Sequence, residues 1–333
     1  LRRRDGAVRQ NAARSGGNPG RLELGAGARV LIEDRKSGYS SIQPNSVILA
    51  ALGIRTSLIG TANTQGAKLT AQRSFAALLP RFNALFRLND SLNLYGTVSK
   101  GRRSPVVQLS AANSVAGVVP NLQMVPEETV WNYEGGIKGR VGPFTGAASV
   151  FYQRYKGFQV SVTGEDGVTR TQSAGSADNL GVELEARLAI SPVLTLFVSF
   201  SYLDGGIADD AANGIYAGNR FRLQPDTTAS GGASLRVPVG NWTLYATPTV
   251  TYRSKVYFEV PNNEAISQDG YALVNLRAGI ETADGRYRIG GFARNLTDEQ
   301  YLIDAGNTGG GFGIPTYIAG EPRFYGVELG ARF

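Results

Sequence analysis

Residues 179–204 read NLGVELEARLAISPVLTLFVSFSYLD, and their alternation decides the fold class. Leu180, Val182, Leu184, Ala186 and Leu188 interleave with Gly181, Glu183, Glu185 and Arg187. Beyond Ser191-Pro192 the device returns, with Leu194, Leu196, Val198, Phe200 and Tyr202 alternating with Thr195, Phe197, Ser199 and Ser201. Successive side chains of a strand point to opposite faces, so a period of two sorts each segment into two faces. Glu183, Glu185 and Arg187 share one face. An Arg or Lys turned towards lipid costs about 2–4 kcal/mol at mid-membrane. Three charges on one face therefore ask for water on that side, while the opposite, apolar face suits acyl chains.

Working outward, the same pattern closes the chain: Tyr325, Val327, Leu329, Ala331 and Phe333 form one apolar stripe. The alternation predicts about twelve strands, at 21–34, 75–88, 91–101, 129–141, 144–160, 177–189, 193–204, 228–238, 242–254, 271–282, 286–300 and 323–333. Short turns are expected at Asn89-Asp90, Gly142-Pro143, Ser191-Pro192, Val239-Gly240-Asn241 and Ala283-Asp284-Gly285. Long connections are expected at 35–74, 102–128, 161–176, 205–227, 255–270 and 301–322. Alternation alone fits a soluble sandwich equally well. The parity of the connections decides between them, because a membrane barrel has tight turns on one rim and long loops on the other. Aromatics near strand ends, such as Trp131, Tyr133, Tyr202, Trp242, Tyr245, Tyr252, Tyr271, Tyr287 and Tyr325, fit the girdles at headgroup level. The fold class is all-β, a transmembrane antiparallel barrel.

Composition removes much chemistry. The chain has no cysteine, so disulfides and thiolate metal sites are excluded, and no histidine, the usual zinc ligand and general base. No cofactor and no metal site is expected. Net charge is +7, and Arg2, Arg3, Arg4, Arg9, Arg14 and Arg21 crowd the start. No aromatic-basic or helix-turn-helix pattern accompanies them, so no nucleic-acid partner is expected. No stretch is long and apolar enough for a transmembrane helix, and Leu1-Arg2-Arg3-Arg4 lacks the apolar region of a signal peptide.

Five segments resemble the TonB-dependent outer-membrane receptor family. They are Pro126-Glu127-Glu128 through Tyr133-Glu134, then Phe151-Tyr152 with Tyr155-Lys156-Gly157-Phe158-Gln159-Val160, and Asn179-Leu180-Gly181-Val182-Glu183-Leu184-Glu185. Asn295-Leu296-Thr297-Asp298-Glu299-Gln300-Tyr301 and Pro322-Arg323-Phe324-Tyr325-Gly326-Val327, running on to Phe333, complete the set. The resemblance covers about residues 21–333. It implies the C-terminal half of a 22-stranded barrel, with 1–20 an irregular basic segment. It also implies the cell outer membrane and energy-coupled import of a siderophore, cobalamin or carbohydrate. The family's plug, its contact with TonB and its signal peptide have no counterpart here, so a fragment not competent for transport alone is expected. TonB would be reached only through the missing plug. Outer-membrane lipid and the barrel-assembly machinery are the implied partners, the latter reading Phe333 as the closing aromatic. A passive porin-like channel is the alternative. A hydrolase would need a general base, and the known barrel hydrolases use the histidine absent here, so no enzyme is expected.

The remaining motifs carry little. Glu127-Glu128 and Asp209-Asp210 are adjacent on the chain, so on a strand each pair splits between faces and makes no dyad. Gly306-Asn307-Thr308-Gly309-Gly310-Gly311-Phe312-Gly313 lacks the helix that a phosphate loop needs and reads as a plain loop. In the long loops, Arg102, Arg103, Tyr216, Arg220, Tyr257, Phe312 and Tyr317 are the candidate substrate contacts. Arginine grips anions bidentately and aromatics offer flat contact area.

Overall fold

The computed structural model describes residues 2–7, 21–42, 51, 63–114, 117–163, 169–306 and 316–333. Its strands are β1 (Arg2–Ala7), β2 (Leu22–Tyr39), β3 (Leu69–Asn89), β4 (Leu92–Arg103), β5 (Val106–Ser114), β6 (Gly117–Val125) and β7 (Glu128–Val141). Next come β8 (Phe144–Lys156), β9 (Gln159–Thr163), β10 (Thr169–Ser173), β11 (Ser176–Ser191), β12 (Leu194–Ile207), β13 (Thr227–Val239) and β14 (Trp242–Arg253). The last are β15 (Val256–Tyr257), β16 (Ser267–Gln268), β17 (Tyr271–Thr282), β18 (Tyr287–Arg294), β19 (Leu302–Gly306), β20 (Thr316–Ala319) and β21 (Phe324–Ala331).

Thirteen of these strands make one antiparallel sheet in the order β1-β2-β3-β4-β7-β8-β11-β12-β13-β14-β17-β18-β21. The eight strands left over pair among themselves as β5–β6, β9–β10, β15–β16 and β19–β20, each pair inside one long connection. The parity read from the sequence holds. Short turns join β3 to β4, β7 to β8, β11 to β12, β13 to β14 and β17 to β18, and long connections join the rest. Gly142, Gly240 and Gly285 sit in three of these short turns with φ of 56°, 60° and 70°, which a side chain would oppose.

Register turns the alternation of single strands into two continuous faces. One row runs Leu22, Phe86, Leu94, Ile137, Ala148, Leu184, Phe200, Ala229, Tyr252 and Ala272, apolar across ten strands. One residue along, the opposite face reads Glu23, Leu85, Tyr95, Gly136, Ser149, Glu183, Ser201, Thr228, Arg253 and Tyr271. Arg236 pairs with Glu281, and Arg277 and Arg288 share Glu328, on this second face. No described residue covers the apolar face here: Leu180, Val182, Leu184 and Leu188 are 38–50% exposed. Water would not tolerate so large an uncovered apolar surface on a monomer.

The polar face has its own packing rule. Tyr95, Phe151, Phe197, Tyr245 and Phe292 each stand directly opposite a glycine of the next wall strand: Gly136, Gly181, Gly232, Gly279 and Gly326. A Cβ at any of the five glycines would lie within 3.0 Å of an atom of that aromatic side chain. The aromatic side chains reach over the glycines, which need no left-handed backbone there. Close approach requires the missing side chain.

Five strands differ from the sequence reading. Residues 2–7, expected to be irregular, pair with β2 as β1. β2 and β3 run on to Tyr39 and start from Leu69, because their register continues unbroken through eighteen pairs, so 35–39 and 69–74 belong to the wall. β8 stops at Lys156 rather than 160, because Gly157 turns the chain with φ of 67°. β18 stops at Arg294 rather than 300, because Asn295 and Asp298 both take positive φ, 46° and 58°.

Candidate functional site

The buried side chains among the described residues lie mostly in the long connections, whose described parts are packed structures on the rim. Val160, Ala174, Ala177, Ile207, Tyr216, Phe221 and Val260 form one cluster, with Tyr155 and Phe158 packed on it. Phe158 and Phe221 meet at 4.7 Å between centroids. Val256, Phe258, Ile266 and Ala305 form a second cluster. The first draws on three connections and the second on two.

Three connections, 208–226, 254–270 and 295–323, converge around the second cluster. Arg222 donates from Nε to the Phe258 carbonyl at 2.5 Å and pairs with Asp304 at 3.2 Å. Leu223 N donates to the Tyr257 carbonyl at 2.8 Å, and Asn262 accepts from Arg220 N at 2.7 Å. Tyr317 donates to the Ala265 carbonyl at 3.1 Å. Tyr257 donates its hydroxyl to Glu264 at 2.7 Å, and Lys255, which also pairs with Glu264, stands 5.2 Å from the centre of the Tyr257 ring. These contacts set the charges. The hydrogen bonds from Lys255 and then Tyr257 hold the Glu264 carboxyl below its usual value. The bond to Glu264 raises the Tyr257 phenol and the Lys255 ammonium. The result is a rim patch in which guanidinium, ammonium and phenol groups interleave with four carboxylates, Asp226, Glu264, Asp269 and Asp304.

The structure brings Arg220, Tyr257 and Tyr317 of the sequence candidates to this patch. Arg220 is engaged with Asp226. Tyr317 is 52% exposed. Phe312 lies outside the described residues, as does 307–313 of the glycine loop. Tyr216 is buried in the first cluster and donates to Gln172 at 3.0 Å; burial raises its phenol. Arg102 stands apart at the base of the 104–127 connection. Its side chain is 1% exposed, 2.6 Å from Glu127 and 3.9 Å from Glu33. Neighbouring Arg103 is exposed and donates to the Gln159 carbonyl at 3.1 Å. As placed, Tyr216 and Arg102 hold the connections together. Lys255, Arg222, Glu264 and Asn262 are members of the patch that sequence reading passed over. Lys255, two residues before Tyr257 in a long loop, was the one available signal.

The family model described as TonB dependent receptor-like, β-barrel, matches residues 18–296. The chain belongs to this family. Its sheet is therefore receptor barrel wall in the outer membrane, with the apolar face towards lipid and the polar face towards the lumen. Among curated relatives, the pesticin receptors of Yersinia pestis and Yersinia enterocolitica are 25% identical over 224 residues. That match takes in 67% of this chain and 32% of the relative, so the chain spans about a third of their length. The ferric yersiniabactin uptake receptor FyuA from Yersinia pestis superposes with a TM-score of 0.74 at 19% identity, covering 94% of this chain and 43% of that one. The copper transporter OprC superposes with a TM-score of 0.67 at 15% identity, covering 95% and 46%. These structural likenesses speak to the fold.

Proposed function

We propose that this chain supplies wall and mouth to an outer-membrane receptor that imports a small anionic metal chelate, driven by energy delivered through TonB. The convergence of Arg220, Arg222, Lys255, Tyr257 and Tyr317 on one rim carries the reading. Guanidinium, ammonium and phenol donors suit a chelate whose donor groups are carboxylates or phenolates, which would take the place of the carboxylates now paired with them. The named cargoes of relatives, ferric yersiniabactin and copper, support a metal as the nutrient. Tyr257, Tyr317 and Arg103 are the proposed ligand contacts, with Lys255 added. Arg102, Tyr216 and Arg220 position the connections beneath them.

The test is uptake and binding by the full receptor that contains this segment, with ferric citrate and a panel of ferric siderophores as probes. Lys255→Gln with Tyr257→Ala should weaken chelate binding about tenfold, the size expected from losing one strong contact. Dissipating the proton-motive force should abolish accumulation. Accumulation that continues without it would instead favour a passive porin-like channel. Equal binding by the double variant would remove the rim patch from ligand recognition.

A further inference from the structure

On its lipid face the wall carries a trough of about 760 Å³ that crosses β2, β3, β4, β7, β8 and β11. Five inter-strand steps make it roughly 24 Å long. Its floor is Ala84, Gly96 and Gly135, adjacent in register, and Leu24, Phe82 and Val150 line its sides. The floor glycines answer to no need of the wall. Neither takes a positive φ. A Cβ at Gly96 or Gly135 would meet nothing nearer than 3.8 Å, unlike the lumenal glycines under their aromatic rings. Larger residues would fit the fold and fill the trough.

Towards the long-connection rim the same face changes character within two rungs. Trp131, Tyr133 and Tyr152 stack in series, with 6.4 Å between successive centroids. Lys100 and Arg154 flank Trp131 in register, and Lys156 follows opposite Thr129. Arg154 and Lys156 are exposed and form no ion pair among the described residues. The neighbouring carboxylate, Asp178, is taken by the Tyr152 hydroxyl at 2.5 Å. Basic groups on a lipid-facing wall are tolerated only near the headgroups, and the aromatic step beneath them marks that level.

We propose that the trough and this basic crown together hold one anionic, phosphate-bearing membrane lipid. An acyl chain lies over Gly96 and Gly135, the stacked rings flank the glycerol or sugar level, and Arg154 and Lys156 hold the phosphate. A protein partner would not need its apolar contact and its charge contact separated by an aromatic step. A lipid molecule has that order built in.

The test uses the full receptor carrying this segment, reconstituted in vesicles of equal phosphatidylcholine and phosphatidylglycerol. The lipid that stays bound after extraction into mild detergent is then counted by native mass spectrometry. Wild type should retain phosphatidylglycerol selectively. Arg154→Gln with Lys156→Gln should cut that preference about 25-fold, at roughly fivefold per basic residue near a membrane surface. Gly135→Val should lower the number of retained lipids of either headgroup while the barrel keeps its heat-resistant mobility on gels. The proposal is overturned if both variants, folded, retain the wild-type number and kind of lipid. It is equally overturned if a photo-crosslinker at Val98 captures a protein in place of lipid.

Discussion

Asn295 shows how much one side chain can carry in this wall. It is 3% exposed and holds φ at 46°. Its amide donates to the Glu299 and Glu321 carbonyls at 2.8 and 3.0 Å, and its oxygen accepts from Glu299 N at 2.8 Å. Asn295→Ala should destabilise the refolded barrel by on the order of 3 kcal/mol, from three unmet backbone groups and a strained backbone. A urea midpoint equal to wild type would refute this. Gly279 makes a second residue-scale case, because Tyr245 lies over it. Gly279→Val should cost about 1–3 kcal/mol through overpacking, whereas Gly96→Ala should leave the midpoint unchanged. Glu264 makes a third. Its carboxyl is held below the usual 4.5 by Lys255 and then Tyr257. A depressed folded value means its contacts contribute fully above the unfolded value and are lost as pH falls through the folded one. The Glu264 carboxyl, followed by NMR, should titrate below 4.5, and Lys255→Gln with Tyr257→Phe should return it upward. An unchanged midpoint in that variant would contradict the assigned cause.

At the scale of the element, β11 tests the two faces. Leu184 belongs to the apolar row and Glu183 to the polar one. Leu184→Arg should impair insertion into vesicles by about 2–4 kcal/mol, while Glu183→Arg should insert nearly as wild type. Comparable folding yields would sink the face assignment. The strands were legible because alternation is a local property, repeated over ten or more residues wherever a wall segment crosses. Their ends were less legible. Asn295 and Asp298 are of the non-glycine types that take positive φ most readily, but the contacts that fix the turn are distant: Asn275 from β17 and Glu321 beyond β20 hold it. The hairpins β5–β6, β9–β10 and β19–β20 were missed for a related reason. They are short pairings stabilised by packing on other connections, with no face large enough to print a periodic pattern.

At the scale of the whole molecule, the sheet has two rims of different construction, and orientation in the membrane follows from which is outside. If the long connections face outward, cysteines placed at Gly240 and Gly285 should resist a membrane-impermeant thiol reagent in intact cells, and one at Tyr317 should react. The reverse pattern would invert the receptor and remove the ligand patch from the cell surface. Phe333 lies just beyond β21, fully exposed, in phase with Tyr325, Val327 and Leu329. Its deletion from the full receptor should lower outer-membrane abundance without changing the chelate affinity of molecules that arrive. Unaltered abundance would remove its proposed part in assembly.

Fold class, the two faces of the wall and the five short turns were determined by the sequence alone, since each rests on neighbours in the chain: a period of two, a glycine, a proline or an Asn-Asp pair at a bend, charges two residues apart. The absence of histidine likewise narrowed the chemistry before any coordinates. Only the tertiary structure decided which loop residues meet. Arg102 looked like a free cation in a long loop, yet its side chain is buried, 2.6 Å from Glu127 and 3.9 Å from Glu33 of β2. Lys255 looked ordinary until Glu264, Tyr257 and the connection carrying Arg222 gathered round it. The Arg102–Glu33 approach and the bonds from Arg222 and Leu223 to Phe258 and Tyr257 join segments far apart in the chain. The energy of such contacts comes from register and packing of the whole sheet, which no local window of residues contains.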